Sequence, residues 1–109
     1  MHKGGTFTET TRELLKEHIK VLLIDLKESV AAIGNAAGEA LVKGNNEPMK
    51  KALENYELEV EKIRSLEKLY DKKQLVLISV MCSDEFREIC QILEGINPDF
   101  IREHCGIEK

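Results

Sequence analysis

Leu75-Val76-Leu77-Ile78-Ser79-Val80-Met81-Cys82 is the stretch on which the fold class turns. Eight residues without a charge fit a buried strand and a buried helix alike, because so short an apolar run has no distinguishing period. A strand here would need a partner, and no second strand-like stretch stands elsewhere in the chain. An orphan strand would leave its N–H and C=O groups unpaired. The segment is therefore expected to be helical, and the chain all-α.

The residues upstream support that reading. Leu15, Ile19, Leu22, Leu26, Ser29, Ile33, Ala36 and Ala40 step by alternating fours and threes, and Leu23, Val30 and Ala37 lie beside that row. Such spacing predicts an amphipathic helix with a near-heptad seam. It should start among the capping-box pairs Thr6–Glu9 and Thr10–Glu13 and run to about Val42. At ~1.5 Å per residue it would be about 50 Å long. Gly44 suits its left-handed C-terminal cap, and Pro48 suits the first turn of the next helix. That second helix carries Met49, Leu53, Tyr56, Val60, Ile63 and Tyr70 on one face, with Leu66 and Leu69 nearby. A short loop between two such helices predicts an antiparallel hairpin.

Downstream, Ser83 followed by Asp84 and Glu85 reads as an N-cap with acids in the first turn. The helix it opens should reach about Glu94. Gly95-Ile96-Asn97-Pro98 then reads as a stop, a short turn and a capped start, with Gly106 closing the final helix. The words Arg87-Glu88-Ile89 and Gly95-Ile96-Asn97-Pro98-Asp99 resemble the helix-turn-helix of bacterial response regulators and sigma factors. The resemblance covers about a fifth of the chain. It implies that Gly95 permits the turn, Ile96 plugs the core and Asn97 caps the second helix. It also implies that Phe100 and Ile101 pack that helix onto Ile89 and Leu93. The small alanine of the family pattern falls on Gln91 instead of Cys90, so Glu94 is in effect one extra residue. One extra residue turns a helix by ~100°.

Charge bears on what such a corner could do. The 109 residues carry a net charge of -4, with 33% charged residues, 5% aromatics and no Trp. From Ser83 to Lys109, seven carboxylates face three cations (Arg87, Arg102 and Lys109), so residues 1–82 are neutral overall. Proteins that hold DNA neutralise several phosphates. An acidic corner opening with Asp99 disfavours nucleic acid and favours a structural role. A DNA-binding dimer would have to use Arg12, Lys16 and Lys20 instead.

Size and composition predict a single helical domain spanning 1–109, with no membrane span and no apolar signal-peptide core at Met1–Gly5. An odd count of three cysteines predicts reduced thiols and a cytoplasmic setting. Cys82, Cys90, His104 and Cys105 have no metal-ligand spacing, so no metal and no cofactor are expected. Glu54-x-x-Glu57 matches half of the magnesium motif of the all-α nucleotide pyrophosphatases resembling the MazG family. Glu67 and Asp71 are spaced by four, and no second half follows. A magnesium-dependent nucleotide hydrolase is thus a distant alternative, and the chain is not expected to be an enzyme.

Gly34 and Gly38, inside the first helix, each cost about 1 kcal/mol relative to Ala. Either they let the chain's own helices pack closely, or they belong to an oligomer seam. The length of the first helix favours a seam built from Leu22, Leu26, Ile33, Gly34 and Gly38. The expected protein is a non-enzymatic interaction or assembly module, a homodimer open to a protein partner. Its architecture is a long antiparallel helical hairpin followed by a short helix-turn-helix-like pair.

Overall fold

The computed structural model describes residues 8–107, and all regular structure among them is helical. The elements are α1 (Glu9–Lys43), α2 (Glu47–Arg64), α3 (Leu66–Leu69), α4 (Lys72–Met81), α5 (Ser83–Gly95) and α6 (Pro98–Cys105). The stretch on which the fold class turned is helix α4. Ile78 and Cys82 are buried and Leu75 packs against the same core, while Val76 and Val80 face outward. That is a helical period. A capping box starts the helix: the Asp71 carboxylate accepts from the Gln74 N–H at 2.8 Å, and the Gln74 side chain accepts from the Asp71 N–H at 3.0 Å.

Helix α1 starts midway between the two expected boxes, two residues from the cap of each. Thr8 is its N-cap, its hydroxyl accepting from the Thr11 N–H at 3.1 Å. Thr10 lies inside the helix, and Thr6 lies outside the described residues. Gly44 ends it at φ 67°, a left-handed conformation that glycine adopts without Cβ strain. Asn46 precedes α2 but makes no side-chain cap; its amide donates to the Cys105 carbonyl at 3.0 Å. The expected second helix, drawn through to Tyr70, is split. α2 ends at Arg64, α3 adds a single turn, and Tyr70 is extended at φ -128° and ψ 145°. Ser83 is likewise not a cap. Cys82 joins α4 to α5, and Ser83 is already helical.

The polar links fix the direction of each layer. Lys27 of α1 pairs with Glu88 of α5 at 2.7 Å, and Asn46 meets the last residue of α6. Helices α5 and α6 therefore run in series along the hairpin in the same sense as α1. Cys82, at the head of α5, lies within electrostatic reach of Lys16 and Lys20. The covering layer thus extends over the N-terminal half of α1. Ile19, Leu26, Leu53, Tyr56, Ile78, Cys82 and Ile89 are fully buried in one core. Each such aliphatic side chain contributes roughly 1.5–3 kcal/mol on burial. The result is a rod of 59 × 20 × 17 Å.

Candidate functional site

The C-terminal corner is built as expected at its caps and differently at its turn. The Asn97 side chain accepts from the N–H groups of Asp99 (3.0 Å) and Phe100 (3.2 Å), Pro98 stands in the first turn, and Gly106 closes α6 at φ 68°. Gly95, however, is the last residue of α5 and does not take a positive φ. The turn uses none of its glycine freedom. Two extended residues make the link: Ile96 at φ -123° and Asn97 at φ -111°.

That geometry rotates α6 away from the expected packing. Ile89 is buried, and Leu93 and Ile96 are half-buried against the core. Phe100, expected with Ile101 to pack the second helix onto the first, is 57% exposed and lies against the ring of His104 at 4.2 Å. Ile101, Arg102 and Cys105 face inward instead. Arg102 is only 5% exposed. Its guanidinium forks onto both oxygens of Glu57, with Nη1 to Oε2 at 2.9 Å, and Nη1 also reaches Asp99 at 3.3 Å. The hydrogen bonds to Glu57 raise the Arg102 pKa above its ordinary value against the opposing effect of burial. Sequence reasoning missed this pair. The arginine lies 45 residues from its partner, and nothing local marks either residue.

Two functional readings lose material here. One of the three cations of the C-terminal segment is buried against a carboxylate, so it cannot serve a phosphate. Glu57, half of the magnesium-like motif, is engaged by a guanidinium. Among the described residues no group of three or more His, Cys, Asp or Glu stands together to hold a metal. Cys82 is buried, Cys90 exposed and Cys105 half-buried.

Between α2 and the corner lies a cleft of about 510 Å³. Tyr56, Val60, Leu93 and Ile96 form its apolar lining, and Glu61, Arg64 and Glu94 stand among its polar residues. The buried Tyr56 hydroxyl donates to the Ile96 carbonyl at 3.4 Å, tying the two walls together. Burial pushes the Tyr56 pKa up, with Arg64 pulling weakly the other way.

No family model matches the chain, and neither does a curated protein or a solved structure. The chemistry of its surfaces must therefore speak for it.

The five residues of the expected seam do not share a face. Leu22, Leu26 and Ile33 are buried in the chain's own core. Gly34, one residue on from Ile33, is turned about 100° away from it, and both Gly34 and Gly38 are exposed. No atom of another helix lies within 4 Å of where a Cβ would stand on either glycine. Close packing within the chain is thus not what these glycines serve. The stripe thought to outrun its cover is covered: Leu15, Ile19, Leu22, Leu23, Leu26, Ile33 and Ala36 are all buried. What lies open is the opposite side of α1. Between Ser29 and Val42 the exposed residues are Ala31, Gly34, Asn35, Gly38, Leu41 and Val42, none of them charged. Leu41 is 86% and Val42 81% exposed.

Proposed function

We propose that this chain is a helical interaction module that pairs with a second copy of itself through the outer face of α1. One observation carries the reading: over the fourteen residues from Ser29 to Val42 the six exposed side chains are all uncharged, and Glu39 is the single charge in the span. In a chain whose residues are 33% charged, such a face is out of keeping with mere solvation. Glu39 itself is half-buried and pairs with Lys43 at 3.4 Å.

The two glycines sharpen the choice of partner. Each costs about 1 kcal/mol in a helix interior, and none of the described residues fills the space beside them. A glycine pair four residues apart lets a facing backbone approach closely. Around a twofold axis that face is its own complement, and twofold dimers are the commonest oligomers. Asn35, between the glycines, supplies amide donors and acceptors across such a contact.

Sedimentation equilibrium at micromolar concentration tests the proposal. Wild type should sediment at twice the 12.4 kDa chain mass. Gly38→Glu, whose side chain has open space in the single chain, should sediment as the monomer with unchanged helicity. A wild-type monomer under these conditions overturns the reading.

A dimeric DNA-binding regulator is the second reading. It draws on Arg12, Lys16 and Lys20, which form an exposed row at helical spacing on α1. A gel shift with duplex DNA at low salt separates the two: salt-sensitive retardation favours the regulator.

A further inference from the structure

The cleft has one wall with thin apolar packing and several polar ties. Of the eight residues of α6, the single buried one is Arg102. Ile101 and Cys105 are half-buried, and Phe100 and His104 lie outside. Ile96, Ile101, Cys105 and Ile107 pack partly buried against the core, and three polar links add to them: Arg102 to Glu57, the Asn46 amide to the Cys105 carbonyl, and the Tyr56 hydroxyl to the Ile96 carbonyl. The connection to α5 is two extended residues, Ile96 and Asn97, with α6 capped independently at both ends.

We propose that α6 is a hinged strap, opening as a unit about Ile96–Asn97 while the α1–α2 hairpin and α5 stay folded, with the Arg102–Glu57 pair as its latch. Hydrogen bonds are directional and contribute only when both partners are in place, whereas apolar contacts weaken gradually. A short wall with thin apolar packing, held in part by such bonds, loosens when one of them is lost. Ile96, Asn97, Pro98 and Asp99 form that side of the cleft, so opening widens it along Tyr56 and Val60. Released α6 also loses its helix, since eight residues do not sustain one in water.

Native-state hydrogen exchange on the full chain reads this directly. The α6 reporters are the amides of Ile101, Gly106 and Ile107, which bond within α6 and its caps. The hairpin reporters are those of Leu26 and Leu53. In wild type the α6 amides should exchange through a local opening, faster than the hairpin amides and with a shallower denaturant dependence. Glu57→Gln leaves Arg102 with the Asp99 carboxylate of its own helix and no carboxylate on the hairpin, and it should speed α6 exchange by roughly ten- to hundred-fold, with the hairpin unchanged. The double variant Glu57→Gln, Arg102→Met removes both halves of the latch and should keep α6 exchange about as fast as in Glu57→Gln, with the hairpin still unchanged. Exchange of α6 only with the hairpin, in wild type, overturns the proposal. So does a Glu57→Gln variant in which both sets of amides speed up equally. Wild-type protection in the double variant would show that the charge pair is not the latch.

Discussion

Along α1 and α2 the buried side chains are Leu, Ile, Ala, Met, one Tyr and one Ser, whereas the buried residue of α6 is an arginine. The hairpin is held by area removed from water, summed over many residues with no demand on angle. The terminal helix depends on a forked ion pair that requires both partners at the right distance. Damage to the hairpin should therefore spread through the molecule, and damage to the corner should stay local. Even the buried Ser29 fits the first pattern. Its hydroxyl donates to the Leu26 carbonyl at 2.7 Å within the same helix, so it asks nothing of a neighbour.

The largest expected effect comes from cutting into the hairpin. Leu53 of α2 has no exposed surface and belongs to the one buried core. Leu53→Ala should lower unfolding stability by about 2–5 kcal/mol, the usual cost of such a cavity. The loss should appear in one cooperative transition by circular dichroism in urea. A loss under about 1 kcal/mol would break the comparison, since it would mean that the hairpin core is as loosely determined as the corner.

The same contrast governs what could be read from the sequence. The stripe from Leu15 to Ala40 announces α1 because apolar burial repeats with the helical period. The helical state of Leu75–Cys82 followed from backbone pairing, although its capping box at Asp71 and Gln74 went unused. The corner was legible at Asn97, Pro98 and Gly106, where one residue type meets one local need. It failed at Gly95 and Phe100, because the direction of α6 is set by Arg102 meeting a carboxylate on α2. No local pattern encodes a contact across 45 residues. The seam was misread for a related reason. Leu22, Leu26 and Ile33 lie one face round from Gly34 and Gly38, and counting small and apolar residues together merged the two.

A middle-sized effect separates the two faces of α1. Gly34→Ala and Gly38→Ala each add a methyl group into open space on the outer face. In dilute solution each should stabilise the chain by about 0.5–1 kcal/mol through helix propensity alone. The gain should shrink or reverse as concentration rises, because a methyl group blocks close approach of a second backbone. Stability of the wild type should itself increase with concentration if the dimer forms. Thermal melts over a hundredfold concentration range read both trends. Identical gains at every concentration would return the glycines to plain solvent exposure.

The smallest effect is a slope at high pH, and it again divides core from corner. Burial raises the pKa of the Cys82 thiol above 9.0, with Glu85 adding to the shift. It raises that of the Tyr56 phenol above 10.0. Both groups are neutral when protonated, so the folded chain binds these protons more tightly than the unfolded chain. Stability from them is intact below the unfolded values and is lost as pH rises toward the folded ones. The stability curve should thus be level through neutrality, bend downward near pH 9 and steepen past pH 10. Cys82→Ala should remove the first bend at the cost of a small cavity, and it tests the hairpin core. Tyr56→Phe should soften the second and also free the Ile96 carbonyl from its donor, so it should loosen α6 as well. Alkaline titration of urea midpoints for the three proteins would decide it. A Tyr56→Phe variant with a flattened slope but unchanged α6 exchange would assign the Tyr56 hydroxyl to the core alone and leave Arg102–Glu57 and Asn46–Cys105 to hold the strap.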